Sequence, residues 1–284
     1  MNYDLRFELV RAIACIRRSL GIQFGQGIVN RVLYPQALRI KNPKEVVIRY
    51  DRRFRLRLNT RSWIEWCLFL NGYFEHAIVR LLEKHVQPTD VVIDVGANIG
   101  VHTLVLSRLV GEQGRVFAVE PCPPVLRKLR ANLTENHVSN VTVVPLGLSN
   151  QTGTVPLFWH DDDTNEGQAT FWANDASNVQ QIIDTITVDE LVRQQQLTQV
   201  NFIKIDVQGA EYQVLQGAQA TLSAFRPVLI FEYDWNWESA GVPFSAVQEY
   251  LARFGYVLYT ISDSGRLLPI QQATAGEILA LASD

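Results

Sequence analysis

VVIDVGANIG, residues 91–100, decides the fold of this 284-residue chain. Apart from Asp94 its first five residues are apolar and β-branched, the pattern of a strand buried on both faces. Gly96 and Gly100 then open a turn, and residues 101–110 continue at helical spacing. The loop Gly96-Ala97-Asn98-Ile99-Gly100 reads GxxxG. It is neither the GxGxxG of dinucleotide sites nor the GxxxxGK[ST] of phosphate-binding loops. A pyrophosphate needs the backbone to approach closely, which is why that fingerprint has a second glycine. Asn98 brings a side-chain amide instead, suited to a small zwitterionic group. The N–H groups opening the following helix favour a carboxylate.

The same rhythm continues downstream. The apolar runs RVFAVE (115–120), VTVVPL (141–146), NFIKIDV (201–207), RPVLIFEY (226–233) and YVLYTIS (256–262) read as strands. Helical stretches separate most of them, at 101–110, 123–136, 187–197, 210–224 and 243–254. This alternation indicates a parallel sheet covered on both faces. The gap after VTVVPL differs. It holds SNQTGTVPLFWHDDDTNEGQATFWANDASN (149–178), which reads as an insertion beside a strand terminus. Upstream, Leu5, Leu9, Ile13, Ile16 and Leu20 suggest an amphipathic helix over 4–20. VVIRYDRRFRLRLNT (46–60) alternates Phe54, Leu56 and Leu58 with Arg55 and Arg57 around a turn near Asp51, which predicts a β-hairpin. A further helix follows Gly72.

Ligands of open parallel sheets bind beyond the carboxyl ends of the strands. The informative positions are therefore Asp94, Glu120, Leu146, Asp206 and Glu232. Glu120, followed by Pro121, ends the second strand, where a carboxylate accepts from both ribose hydroxyls and repels a 2′-phosphate. A ligand with a ribose, an amino-acid end and no phosphate fits this set. S-adenosylmethionine is that ligand, with Asp94 and the glycine turn at its methionyl end and Glu120 at its ribose. A plain strand, turn and helix with structural glycines is the alternative reading of the loop.

Lys204 and Asp206 lie two apart on one strand and share a face. Asp206 stands at the tip beside Gln208-Gly209, and Glu232 ends what should be the adjacent strand. A sulfonium methyl is already a good electrophile, so positioning of the acceptor oxygen supplies much of the rate. A hydroxyl acceptor must also lose its proton, and a nearby carboxylate is the usual means. Asp206 is the expected base or substrate-orienting acid, with Glu232 second. Lys204 either keeps these carboxylates charged or forms a structural ion pair with one of them. Glu211 is read as favouring a helix start.

Bulk properties narrow the class. Hydrophobic content of 47% and charged content of 19% describe a globular protein with ample core. No stretch is long and apolar enough for a membrane span. Cys15, Cys67 and Cys122 are widely spaced, which argues for a reducing, cytoplasmic setting and against a zinc site. Residues 1–61 hold 14 of the 26 Lys+Arg but 4 of the 29 Asp+Glu, a local balance of +10 against −13 for the remainder. The basic segment either leans on the acidic remainder, meets an anionic partner or is a solvated face. It lacks a nucleic-acid reading motif, so nucleic acid is not expected.

The remaining signals are weaker. His76, His85, His137 and His160 show no ligand spacing, so no built-in metal is expected, though Asp206 and Glu232 leave room for magnesium. His102, after the glycine turn, either nears the acceptor or packs the helix. DDDTNEG (161–167) resembles a calcium loop only superficially. Trp159, Phe171, Trp172, Trp235 and Trp237 are read either as stacking faces for a flat or sugar acceptor or as packing.

The motifs NGYFE (71–75), DVGANIG (94–100), VFAVEP (116–121), NVTVV (140–144), ITVDEL (186–191), IKIDVQGAEYQVLQGA (203–218) and RPVLIFEY (226–233) resemble, in order and spacing, the FkbM-type methyltransferases over roughly residues 71–262. The resemblance implies a class I methyltransferase fold: a Rossmann-like α/β domain at 71–284 with a seven-stranded, mostly parallel sheet whose last strand is antiparallel. Residues 1–70 would form a helical and β-hairpin extension. It implies S-adenosylmethionine as cofactor, held by Asp94, Gly96, Ala97, Asn98, Gly100, Glu120 and Pro121, with Glu75 as a site-lining acid. It also implies O-methylation of a sugar or glycosylated metabolite. Two rivals stand beside this reading: a nicotinamide-dependent dehydrogenase, which the GxxxG turn disfavours, and a scaffold module that keeps the fold without turnover.

Overall fold

The computed structural model describes residues 11–16, 45–159, 169–171, 179–233, 237, 241–261, 266–270 and 275–283. They fall into two compact units, one ending at His76 and the other beginning at Ala77.

In the first unit, residues 11–16 are helical; the rest of the helix expected over 4–20 lies outside the described residues. Within that turn Ala14 is buried, whereas Ile13 and Ile16 are exposed. The hairpin is present as β1 (Glu45–Tyr50) paired antiparallel with β2 (Phe54–Asn59). Alternation puts Ile48, Tyr50, Leu56 and Leu58 on the buried face. Helix α1 (Trp63–Asn71) follows and carries the buried run Trp66 to Leu70. It ends at Gly72, whose left-handed backbone lets its N–H donate to Leu68 O at 2.7 Å. Helix α2 is His76–His85.

The second unit is built on an eight-stranded sheet. Its strands are β3 (Val91–Val95), β4 (Arg115–Val119), β5 (Val141–Val144), β9 (Phe202–Ile205), β10 (Val228–Tyr233), β11 (Tyr256–Ile261), β12 (Leu267–Pro269) and β13 (Gly276–Ala282), in the spatial order β12-β11-β13-β10-β9-β3-β4-β5. From β10 to β5 all pairs are parallel, and β13 runs antiparallel between β10 and β11. Seven strands and the antiparallel last one match the expectation. The short β12 adds an eighth at the edge, a position where Pro269 costs no ladder bond. Residues of β3 and β9 are buried throughout, as a central parallel strand requires.

Helices α3 (Val101–Val110), α4 (Pro123–Glu135), α5 (Val188–Gln194), α6 (Glu211–Gln216), α7 (Gln219–Phe225) and α8 (Phe244–Ala252) connect the strands. The stretch expected as one helix over 210–224 is two, parted at Gly217, where a Cβ would sit 2.1 Å from Ser149 O. The insertion is a second, three-stranded sheet of β6 (Gly147–Leu148), β7 (Gly153–Trp159) and β8 (Val179–Ile186), in the order β6-β8-β7. Its β8, VQQIIDTI, lacks the apolar run that marks the core strands, and only its pairing with β7 makes it a strand. Thr170 bridges back to Phe158. The calcium-like loop 161–167 lies outside the described residues.

Strand order reverses between β3 and β9: the chain leaves β3 toward β4 and β5, then returns to β9 and β10 on the other side. This switch point opens a crevice at the strand tips.

Candidate active site

The tips of β3, β4, β9 and β10 meet at this crevice. Gly96 takes φ 77° and Gly100 φ 93°. A Cβ on Gly96 would lie 1.8 Å from Asp206 O, and one on Gly100 2.7 Å from Leu129 Cδ1. Both positions therefore demand glycine. The N–H groups of Gly96 and Ala97 donate to Val119 O at 3.0 Å each, tying the turn to the tip of β4. Asn98 has φ 51°, a region that asparagine tolerates better than most residues. Its Oδ1 accepts from Ile99 N–H at 2.7 Å. The asparagine thus has a conformational reason that spacing alone does not reveal.

Glu120 is buried, and each carboxylate oxygen accepts one backbone N–H: Oε2 from Asn98 at 3.0 Å and Oε1 from Cys122 at 2.8 Å. Burial raises its pKa to about 7, with those two N–H groups opposing the rise. Pro121 beside it is half-buried, and Ala97 is buried.

Asp94 and Lys204 are register partners on β3 and β9. Asp94 is fully buried; its Oδ2 accepts from Thr103 Oγ1 at 2.6 Å, and its Oδ1 holds no hydrogen bond. Burial raises the Asp94 pKa, partly offset by Lys204 and Thr103. Lys204 Nζ lies 4.0 Å from Asp94 Oδ1 and donates to Asp206 Oδ2 at 3.1 Å. The ammonium therefore serves two carboxylates.

Asp206 keeps 28% of its side chain exposed, while Lys204 keeps 3%. Burial alone would raise the Asp206 pKa, but the Lys204 charge and hydrogen bond, with the Gln208 amide, bring it below the usual carboxylate range. Asp206 is thus an ionised acid with an open side. Gln208 Nε2 donates to Asp206 Oδ1 and to Glu232 Oε2, 3.3 Å each. The two acids singled out from the sequence are brought together by this amide. Gln208 has φ 54°, and its carbonyl accepts from Thr170 Oγ1 of the insertion at 3.2 Å. Gln208 and Thr170 were not legible as site residues, because their roles need β9, β10 and the insertion to converge.

Glu211 does more than favour a helix start. It is fully buried and accepts from Val207 N–H and Gly209 N–H, 2.9 Å each, which fixes the turn carrying Gln208. Burial lifts its pKa to about 8. His102 is buried, and burial with Lys204 lowers its pKa to about 3, so it is neutral. Trp159 and Trp237 are buried, and Trp237 Nε1 donates to Glu232 O at 3.1 Å, so both are packing rather than stacking faces. Phe171 is half-buried; Trp172 and Trp235 lie outside the described residues. Glu75, with φ 47°, belongs to the first unit. Among the described residues no group of three or more His, Cys, Asp or Glu is arranged to hold a metal, and no helix is long and apolar enough to cross a membrane.

Comparison with known proteins places this arrangement. The family model of the methyltransferase FkbM domain matches residues 94–258, more than half of the chain. Hexuronic acid methyltransferase AglP of Haloferax volcanii is 32% identical over 158 residues, covering 55% of this chain and 61% of that protein. Methyltransferase 1 of Beauveria bassiana is 28% identical, covering 44% and 57%. The 2-O-methyltransferase NoeI of Sinorhizobium fredii is 25% identical, covering 63% and 77%. The chain thus spans about six tenths of the first two relatives. A crystal structure of methyltransferase FkbM from Methylobacillus flagellatus aligns with a TM-score of 0.45 at 17% identity, over 98% of this chain and 71% of that one. The chain belongs to the FkbM methyltransferase family, whose domain uses S-adenosylmethionine.

Proposed function

We propose that the protein methylates a hydroxyl group of a sugar or glycosylated metabolite, with S-adenosylmethionine as methyl donor. The observation that carries this reading is Asp206: an ionised, partly exposed carboxylate at the switch point, with Glu232 fixed beside it through Gln208. The printed functions of two relatives, a hexuronic acid methyltransferase and a 2-O-methyltransferase, support a sugar hydroxyl as acceptor.

The donor set suits the cofactor. Each Glu120 oxygen holds one N–H and keeps capacity for a ribose hydroxyl. Asp94 Oδ1, buried without a hydrogen bond, leaves acceptor capacity beside a turn that only glycine permits at Gly96 and Gly100. In this proposal Asp94, Gly96, Ala97, Asn98, Gly100, Glu120 and Pro121 hold the cofactor, and Glu75 of the first unit joins them. When bound, the cofactor supplies a sulfonium-activated methyl group. Asp206 orients the acceptor hydroxyl and takes its proton as the oxygen forms its bond to carbon. Glu232 accepts a hydrogen bond from a neighbouring hydroxyl of the acceptor. Lys204 keeps Asp206 ionised until then. The catalytic domain in this reading is 71–284 with 1–70 as an extension. A cytoplasmic setting agrees with three cysteines of which none forms a disulfide.

The test is incubation with methyl-labelled cofactor and a panel of neutral and uronic-acid saccharides, with mass spectrometry locating the label. Label on a ring hydroxyl supports the proposal. Label on a carboxylate or on nitrogen, or cofactor binding without transfer to any saccharide, would overturn it in favour of another acceptor or of the scaffold reading.

A further inference from the structure

The β1–β2 hairpin has an outer face that the methyl-transfer reading does not use. Alternation sends Glu45, Val47, Arg49, Arg55 and Arg57 outward, opposite the buried Ile48, Tyr50, Leu56 and Leu58. Arg49 is the direct cross-strand partner of Arg55, and Val47 that of Arg57. The turn adds exposed Arg52 and Arg53 beside a half-buried Asp51. Arg57 pairs with Glu45 at 3.1 Å. Five exposed arginines therefore surround one aliphatic side chain, Val47, which is 47% exposed. Like charges directly opposed across a ribbon destabilise it, and an anion bridging them reverses the sign. Guanidinium groups match phosphate oxygens in pairs.

We propose that this face docks the protein onto an anionic membrane surface, with Arg49 and Arg55 on lipid phosphates and Val47 entering the interface. An aliphatic group set among cations is the composition of an interfacial surface. Nucleic acid fits less well, because the outward residues of the two strands include no aromatic ring to stack on bases and no amide to read them. The attraction is concentrated here: residues 1–61 carry the +10 excess, and the remaining chain, at −13, repels an anionic surface. Such docking would bring the enzyme to acceptors presented at a membrane.

The experiment is flotation of the full chain with phosphatidylglycerol–phosphatidylcholine vesicles and with phosphatidylcholine vesicles alone. It is run at about 50 mM and about 500 mM salt, between which the screening length falls about threefold. Expected are flotation with the anionic vesicles only, loss at high salt, and binding at least tenfold weaker in Arg49→Gln/Arg55→Gln. Val47→Ser should weaken it as well, and Arg193→Gln, a surface change in the other unit, should not. Circular dichroism confirms that each variant is folded. Equal binding by the double variant, no flotation, release by millimolar pyrophosphate at constant ionic strength, or tighter retention of a DNA duplex than of vesicles would each overturn the proposal. The last two would point to a soluble anion and to nucleic acid.

Discussion

Gly96 lies against the backbone of Asp206 so closely that a Cβ would stand 1.8 Å from the Asp206 carbonyl oxygen. The glycine turn after β3 and the acid at the tip of β9 are thus one construction, and the distance between cofactor loop and base is set by backbone. Gly96→Ala meets both this collision and a φ of 77°. It is expected to lose at least about 2–3 kcal/mol of stability, read from urea unfolding. A variant as stable as the parent would show that the two tips are not held together in this way.

Asp206→Asn tests the base. The amide keeps the side chain's shape but takes no proton, so turnover should fall by about 10²–10⁴. Cofactor affinity, measured by calorimetry, should stay within a few-fold. Undiminished turnover would remove Asp206 from the mechanism.

Gln208→Leu separates assembly from chemistry. Without the amide, Asp206 and Glu232 lose their shared donor, and the Asp206 pKa rises because one of its stabilising hydrogen bonds is gone. The acid limb of the turnover profile should move to higher pH while cofactor affinity holds. An unshifted limb would mean that the amide only packs the turn.

Glu120 predicts a pH effect on cofactor binding. Its pKa stands at about 7 in the free protein, so the carboxyl is protonated below that and ionised above. Ribose hydroxyls donate to the ionised form. Affinity should therefore rise from pH 6 toward 7 and level off above it, approaching tenfold per pH unit on the acid side. Calorimetry in buffers of different ionisation heat should show proton release on binding below pH 7. A flat profile with no proton release would take Glu120 off the ribose.

Lys204→Met leaves Asp94 buried with no cation near it. Removing one partner of a buried pair costs about 3–5 kcal/mol. The same change lifts the Asp206 pKa, because the charge that lowers it is gone. Reduced stability together with an acid limb at higher pH would follow. A stable variant with a displaced limb would assign Lys204 to chemistry alone.

The sequence by itself determined the order of strands and helices, since near-continuous apolar runs and glycine turns express local backbone preference and two-sided burial. VVIDVGANIG placed the cofactor loop, and Glu120, Asp206 and Glu232 were legible because strand tips are where an open sheet exposes function. Local pattern could not reveal β8, whose strand character comes from pairing with β7, or the burial of Trp237. Nor could it show why Asn98 stands in the loop, which is a matter of its left-handed φ of 51°. Tertiary structure alone decided that one lysine serves Asp94 and Asp206, and that one glutamine joins Asp206 to Glu232 while Thr170 holds its carbonyl. Such contacts join residues far apart in the chain, and their charge states depend on burial that exists only once β3, β9 and β10 are packed side by side.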